Sequence, residues 1–291
     1  MKLIPTINYH LTNKCNMRCK YCFAGFSEIK NTENLSFRQN LLLIQQLKDA
    51  GFEKINFAGG EPMLHPQIFE LLQFAKEIGF VTSIITNGSR LNDFSINQLS
   101  KHTDIIGISI DSLFDKTNEK IGRVWANKNV ISKENYINIC TKIKEYNIFL
   151  KINTVVSMLN IGEDFSDFIK LVQPERWKIF QVMKVEDQNG LKILPLLVND
   201  EDYQSFVQKH RISLGTNTEC IVPESNHIMR GSYIMIDPAG KFYDSTAGNH
   251  QYSEPILNCG VLPALNQISF DFCKFFTRDG FFYQNIQTLN K

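Results

Sequence analysis

Two kinds of apolar segment alternate along the first 185 residues of the chain. Short runs rich in Ile, Val and Phe predict buried strands, and longer runs with apolar positions three and four apart predict helices. The predicted strands cover 3–9, 54–57, 81–86, 105–110, 150–156 and 177–183, and the predicted helices cover 36–50, 67–78, 96–101, 133–146 and 165–172. This alternation predicts an α/β fold with a parallel sheet, a partial (βα)6 TIM-like barrel whose reactive end is the carboxyl end of its strands.

The alternation stops at about residue 186. Residues 200–210 predict a helix, and 233–237 and 241–243 predict two strands that flank the turn Pro238-Ala239-Gly240. We therefore expect two parts: residues 1–185 form the partial barrel, and residues 186–291 form a C-terminal α+β extension that caps it.

Polar residues recur at every second position inside several predicted strands. Because side chains alternate between the two faces of a strand, each such pair shares one face. The outward face of a barrel packs on helices and must be apolar, so these pairs should face the lumen. Unpaired cations there would be costly without a polyanionic ligand, such as a triphosphate. The pairs are Asn8 with His10, Lys54 with Asn56, Lys151 with Asn153, and Arg176 with Lys178.

Composition limits the class of protein. The chain has 291 residues, a net charge of +1 and 43% hydrophobic residues, which argues against a general nucleic-acid binder. No run approaches 18 apolar residues, so no membrane span is expected. Three of the seven cysteines lie within eight residues and no signal peptide opens the chain, so a reducing cytoplasm is the expected compartment.

The three clustered cysteines, Cys15, Cys19 and Cys22, form a CxxxCxxC motif. Three thiolates leave a four-iron cluster with one iron that lacks a protein ligand, and that iron can bind the amine and carboxylate of a small molecule. A structural zinc site needs four ligands, and ferredoxins use four cysteines at other spacings. The alternative is that the cysteines are unrelated or bind zinc.

A second motif, Gly59-Gly60-Glu61-Pro62, follows a predicted strand and precedes a helix. Two glycines let the backbone come close to a ligand, and the carboxylate can accept a hydrogen bond from a ligand's ammonium group. Asn87 and Ser109 lie at or just after the ends of later strands, where further contacts to the same ligand would fall. Taken singly, each of these residues is as typical of an ordinary turn or cap.

With these residues identified, the chain resembles the viperin family of radical S-adenosylmethionine (SAM) enzymes, in particular its prokaryotic, antiviral-defence members. The resemblance covers nearly the whole length. Beyond the two motifs above, its most specific runs are Arg176-Trp177-Lys178-Ile179-Phe180-Gln181 and Val222-Pro223-Glu224-Ser225-Asn226.

The resemblance implies the ligands of each site. Cys15, Cys19 and Cys22 would hold a [4Fe-4S] cluster, and SAM would be the co-substrate. SAM would contact Phe23, Gly59, Gly60, Glu61, Asn87 and Ser109. A nucleoside triphosphate, CTP, UTP or GTP, would contact Asn8, Lys54, Arg123, Lys151, Asn153, Arg176 and Lys178.

The resemblance also implies the reaction. A 5′-deoxyadenosyl radical would abstract the ribose 4′-hydrogen, and loss of the 3′-hydroxyl would give the 3′-deoxy-3′,4′-didehydro nucleotide, a chain terminator. The electron donor would be a protein such as flavodoxin or ferredoxin. By chemistry alone, the candidates for the proton or radical donor are Tyr233, Tyr243 and Tyr252.

Two alternatives stay open at the level of sequence. One is a radical SAM enzyme that modifies a peptide or another small molecule; against it, Cys220, Cys259 and Cys273 are too scattered for an auxiliary cluster. The other is a non-catalytic iron–sulfur or zinc module, which would leave the lumen cations without a ligand.

Overall fold

A computed structural model describes residues 6–26, 28–29, 34–126, 128–284 and 286. Its ten strands are β1 (Thr6–His10), β2 (Lys54–Ala58), β3 (Val81–Thr86), β4 (Ile105–Ser109), β5 (Phe149–Val156), β6 (Arg176–Gln181), β7 (Ile221–Glu224), β8 (Met235–Ile236), β9 (Lys241–Asp244) and β10 (Gln251–Pro255). The first six match the predicted strands to within a few residues, although positions 3–5 of the first prediction lie outside the described residues.

The helices cover the outer face of this sheet and continue into the extension. They are α1 (Phe37–Asp49), α2 (Ile68–Glu77), α3 (Asp93–Ser100), α4 (Asp115–Ile121), α5 (Lys133–Glu145), α6 (Ser166–Val172), α7 (Asp200–Leu214), α8 (Asn226–Met229), α9 (Ile256–Cys259), α10 (Val261–Leu265) and α11 (Phe272–Thr277). Ser36 caps α1 in a capping box with Gln39, as the sequence predicts. Helix α4 is absent from the sequence prediction.

All ten strands belong to one sheet in the order β10-β9-β8-β1-β2-β3-β4-β5-β6-β7. Strands β1 to β7 run parallel to their neighbours, β8 adds in parallel to β1, and β9 and β10 are antiparallel. The predicted partial barrel is confirmed, and among the described strands the sheet is not closed.

The extension, predicted to cap the barrel, also adds strands to the sheet. Residues after 186 lengthen the sheet at both edges, with β7 beside β6 and the β8–β10 meander beside β1. The predicted hairpin around Pro238-Ala239-Gly240 is present as β8 and β9. The alternation fails there because this part adds single strands to an existing sheet instead of repeating βα units.

The alternation of faces within each strand creates a lumen. In β2, Ile55 and Phe57 are fully buried among the outer helices, whereas Lys54 and Asn56 line a cavity on the other face. The same division holds in β5, where Ile152 is in the core and Lys151 and Asn153 line the cavity. Within the described part of the chain, no helix combines the length and the apolar character needed to cross a membrane.

Candidate active site

A cavity of about 1040 Å³ occupies the lumen. This volume is at the upper limit of a typical single-ligand site, so two ligands of moderate size can share it. Its lining runs from the cysteine loop (residues 12–26), beyond the carboxyl ends of the strands, to Lys54 at the amino end of β2. The five residues of β2 alone span ~13 Å.

The cysteine loop is fastened to its surroundings by backbone hydrogen bonds. Arg18 N donates to Gly122 O at 3.1 Å, and Lys20 N donates to Ile121 O at 2.9 Å. Met17 and Tyr21 of the loop are themselves buried. These anchors flank Cys19 and hold its thiol, with those of Cys15 and Cys22 on either side, along the cavity.

The thiols have the properties of a cluster site. Burial raises the pKa of Cys19 to about 12, with Arg123 nearby acting in the opposite direction, so a metal must displace the proton. The thiols of Cys15, Cys19 and Cys22 all line the cavity, and three thiolates are one ligand too few for a structural zinc site.

The glycine motif packs directly against the cysteine loop. Gly60 N donates to Thr12 O at 2.6 Å, and Glu61 N donates to Lys14 O at 2.8 Å. A Cβ atom on Gly60 would lie 2.3 Å from Lys14 O. Only glycine permits the two backbones to approach this closely, so the glycine motif and the cysteine loop pack together as a unit.

Glu61 was expected to accept a hydrogen bond from a ligand's ammonium group, but in the structure its carboxylate is bonded to neighbouring protein groups. Its carboxylate accepts hydrogen bonds from Met63 N at 3.0 Å, Thr86 Oγ1 at 2.7 Å and Asn87 N at 2.7 Å. Because a carboxylate offers about four acceptor positions, most of its capacity is used to join the ends of β2 and β3. The glycine backbone is the part of the motif left open to a ligand.

The other residues expected to contact SAM also line the cavity. Asn87 Nδ2 donates to Asn16 Oδ1 at 2.9 Å and lies 4.0 Å from Cys15 Sγ. Ser109 lies at the carboxyl end of β4, and Phe23 is 37% exposed at the rim. All six of the residues predicted to contact SAM therefore meet at the thiol end.

Arg123, predicted to contact the nucleotide, lines the cavity at this same end. Its guanidinium pairs with Asp111 Oδ2 at 2.7 Å, donates to Ser109 O at 2.6 Å and lies 4.0 Å from Cys19 Sγ. Tyr21 donates to the same Asp111 oxygen at 2.5 Å. The arginine is held in a loop after α4, so its position could not be obtained from strand periodicity.

The opposite end of the cavity is cationic. Lys54, Lys151, Lys178 and Arg278 line it, each at most 7% exposed. We call these four residues the cation floor. Among the described residues, Lys54 and Lys151 make neither an ion pair nor a hydrogen bond through Nζ. Burial, with neighbouring cations such as Arg176, lowers the pKa of Lys151 to about 7, which an anionic ligand would reverse.

Amide groups beside the floor are also incompletely bonded. Asn56 Nδ2 donates to Asn8 Oδ1 at 2.9 Å, but the oxygens of Asn56 and Asn153 are buried and have no partner in the described chain. Buried polar atoms are nearly always hydrogen-bonded. Both asparagines line the cavity, so this end fits a polar ligand.

Arg176, predicted to contact the nucleotide, does not line the cavity in this structure. Its NH1 pairs with Asp279 Oδ2 at 2.7 Å, and its guanidinium lies 4.2 Å from the centre of the Phe282 ring. Arg176 thus fastens residues 278–283 beneath the barrel. Tyr283 strengthens this closure by donating to Glu53 Oε2 at 2.7 Å.

The three candidate tyrosines occupy different places. Tyr233 lines the cavity beside the cation floor. Tyr243 is fully buried against Ala24 and Phe26, behind the cysteine loop. Tyr252 donates to Glu28 Oε1 at 2.6 Å on the outer side. Only the position of Tyr233 suits a proton donor to a ligand in the cavity.

Comparison with known proteins agrees with this geometry. The family model "Radical SAM superfamily" matches residues 9–173. An S-adenosylmethionine-dependent nucleotide dehydratase of Flammeovirga pacifica is 40% identical, with 96% of each chain covered. The chain belongs to the radical SAM superfamily and, within it, to the S-adenosylmethionine-dependent nucleotide dehydratases. Radical SAM enzymes use a [4Fe-4S] cluster and SAM.

Other relatives extend the family match. The dehydratase of Lacinutrix mariniflava is 42% identical over 97% of this chain, which spans 59% of that longer protein. The RSAD2 dehydratase of Danio rerio is 33% identical, with 94% of this chain and 77% of that protein covered.

Solved structures show the fold. Streptococcus suis SuiB bound to its precursor peptide has a TM-score of 0.67 at 18% identity, covering 82% of this chain and 58% of that one. The structure of anSMEcpe with bound AdoMet has a TM-score of 0.63 at 15% identity, and the match covers 82% of this chain and 73% of that one. Both share the open, mostly parallel α/β architecture.

Proposed function

We propose that this enzyme dehydrates the ribose of a ribonucleoside triphosphate to the 3′-deoxy-3′,4′-didehydro form. The observation that carries the proposal is that one cavity joins three thiols at one end to a floor of buried cations at the other. A reaction on the ribose requires SAM on one side of the sugar and the triphosphate on the other. The thiol end of the cavity would hold the first, and the cationic end would hold the second.

Each end of the cavity has its own residues in this proposal. Cys15, Cys19 and Cys22 would hold the cluster, and the Gly59-Gly60 backbone, Phe23, Asn87 and Ser109 would surround SAM. The nucleotide would contact Asn8, Asn153 and the cation floor. When bound, the cluster and SAM supply a 5′-deoxyadenosyl radical that takes the ribose 4′-hydrogen.

The protein itself would position the ribose, neutralise the charge of the triphosphate and supply the proton for the leaving 3′-hydroxyl. Once the 4′-hydrogen has been taken, loss of the 3′-hydroxyl as water requires one proton and one electron, and the cleavage of SAM requires a further electron. Lys178 of the cation floor and Tyr233 beside it bear protons, and their side chains are linked at 2.9 Å. Both electrons would come from a flavodoxin or ferredoxin.

The extension, residues 186–291, completes the nucleotide site in this proposal. Arg278 and Phe282 close the end of the lumen opposite the thiols, and Tyr233 and Met235 form part of its wall. The substrate would be CTP, UTP or GTP. A peptide substrate is disfavoured because a neutral chain would leave Lys54 and Lys151 without counter-charge.

Replacing Lys151 with alanine tests the triphosphate. A charge-assisted hydrogen bond lost there costs about 1.5–3 kcal/mol, or roughly tenfold to a hundredfold in nucleotide affinity. We expect a higher KM for the nucleotide, with slow nucleotide-independent cleavage of SAM unchanged. In the unaltered enzyme, the nucleoside without phosphates should stimulate 5′-deoxyadenosine formation poorly.

The matched control is Lys170→Ala, an exposed lysine on the outer helix α6. Its nucleotide KM should equal that of the unaltered enzyme. Equal stimulation by nucleoside and triphosphate, or an unchanged KM in Lys151→Ala, would refute the triphosphate site.

A further inference from the structure

The run Val222-Pro223-Glu224-Ser225-Asn226 is specific in sequence but has no role in the function described so far. It forms the end of β7 and the start of α8. Asn226 N donates to Gln181 Oε1 at 2.9 Å, and its Nδ2 donates to Val182 O at 3.2 Å. The run is thereby fixed to the end of β6, with Glu224 completely buried.

Glu224 contacts both proton-bearing groups of the cavity wall. One carboxylate oxygen accepts a hydrogen bond from Lys178 Nζ, and the other accepts from the Tyr233 hydroxyl. Arg278 NH1 lies 3.9 Å from the first oxygen, and its guanidinium lies 3.7 Å from the centre of the Tyr233 ring. A single carboxylate therefore organises two cations and a phenol.

The hydrogen bonds of this group can be counted. Tyr233 donates its only hydroxyl proton to Glu224 and accepts one from Lys178. Burial lowers the pKa of Lys178, and Glu224 acts in the opposite direction. In its ammonium form Lys178 has three N–H groups, of which two are used by Glu224 and Tyr233. One N–H remains for the cavity that Lys178 lines. Burial alone would raise the pKa of Glu224, but Lys178 and Arg278 lower it, so Glu224 stays ionised as the acceptor.

We propose that Glu224 is a positioning residue for the dehydration: it holds Tyr233 and Lys178 as one proton-bearing unit whose free N–H faces the nucleotide. This inference rests on the proposed nucleotide dehydration. It assigns proton delivery to Lys178, with Tyr233 and Glu224 fixing its direction.

Glu224→Gln tests the assignment because glutamine keeps the shape but removes the charge. Two quantities are measured separately: the nucleotide KM, and the amount of dehydrated nucleotide formed per 5′-deoxyadenosine. We expect the product ratio to fall at least tenfold, because the radical step continues while water loss is misdirected. The KM should change less than threefold, and Glu224→Asp should recover part of the ratio.

Glu28→Gln is the matched control. Glu28 also accepts a tyrosine hydroxyl, that of Tyr252, but it is exposed and does not line the cavity. Its product ratio should be unchanged.

Two results would overturn the inference. A parallel loss of both products in Glu224→Gln, with the ratio unchanged, would mean that Glu224 only supports the fold. A change confined to KM would make it a counter-ion of the phosphate site. Absence of dehydrated nucleotide from the unaltered enzyme would instead refute the proposed function.

Discussion

Cys19→Ala should abolish both cluster assembly and SAM cleavage while leaving the protein folded. Cys19 lies in the middle of the anchored loop, and the flanking hydrogen bonds from Arg18 and Lys20 are made by backbone atoms. The loop should therefore keep its path when the thiol is lost, but two thiolates are too few to hold the cluster. Iron content, visible absorption and 5′-deoxyadenosine formation after anaerobic reconstitution measure the effect.

Cys273→Ala is the control, because this cysteine is exposed and outside the cavity. It should retain iron and activity. Full iron content together with 5′-deoxyadenosine production in Cys19→Ala would exclude the thiol as a cluster ligand.

Gly60→Ala should have the second-largest effect, although it adds a single methyl group. The new Cβ would lie 2.3 Å from Lys14 O and 2.9 Å from Cys15 N, which are both backbone atoms. The cysteine loop must move away from the glycine motif, and a displacement of about 1 Å costs on the order of a hundredfold in turnover. The rate of SAM cleavage in iron-loaded protein measures this loss.

Gly162→Ala adds the same methyl group where no atom lies within 4 Å, and its rate should equal that of the unaltered enzyme. Equal rates in Gly60→Ala would mean that the contact between the two motifs is not needed for SAM cleavage.

Local patterns were sufficient to predict the first six strands of the sheet and the direction of their side chains. Lys54 and Lys151 were placed in the lumen from the alternation of faces alone, and both line the cavity. The cysteine and glycine motifs meet because each follows a parallel strand and the carboxyl ends of such strands share one edge of the sheet.

The partners of these side chains could not be predicted in the same way. Glu224 lies 46 residues beyond Lys178, and Arg278 comes from a segment without strand or helix periodicity. Alternation also predicted the face of the strand on which Arg176 lies, but not its ion pair with Asp279. Contacts of this kind depend on tertiary structure, which a single sequence does not disclose.

Glu61 illustrates a further limit. Its position beside two glycines indicated a ligand contact, but Met63, Thr86 and Asn87 supply the donors to its carboxylate. The last of these lies 26 residues away and reaches Glu61 only because β2 and β3 are neighbours. A sequence motif thus identified the place of the site and not the contact made by each residue.

The most direct test is product analysis with the reconstituted, reduced enzyme, SAM, and ATP, CTP, GTP or UTP supplied separately and labelled with deuterium at the ribose 4′ position. We predict that CTP, UTP or GTP yields an unlabelled 3′-deoxy-3′,4′-didehydro nucleotide, which has lost the 4′ deuterium and the 3′-hydroxyl, with the deuterium recovered in 5′-deoxyadenosine. Cleavage of SAM with all four triphosphates, without a dehydrated nucleotide or transferred deuterium, would contradict nucleotide dehydration.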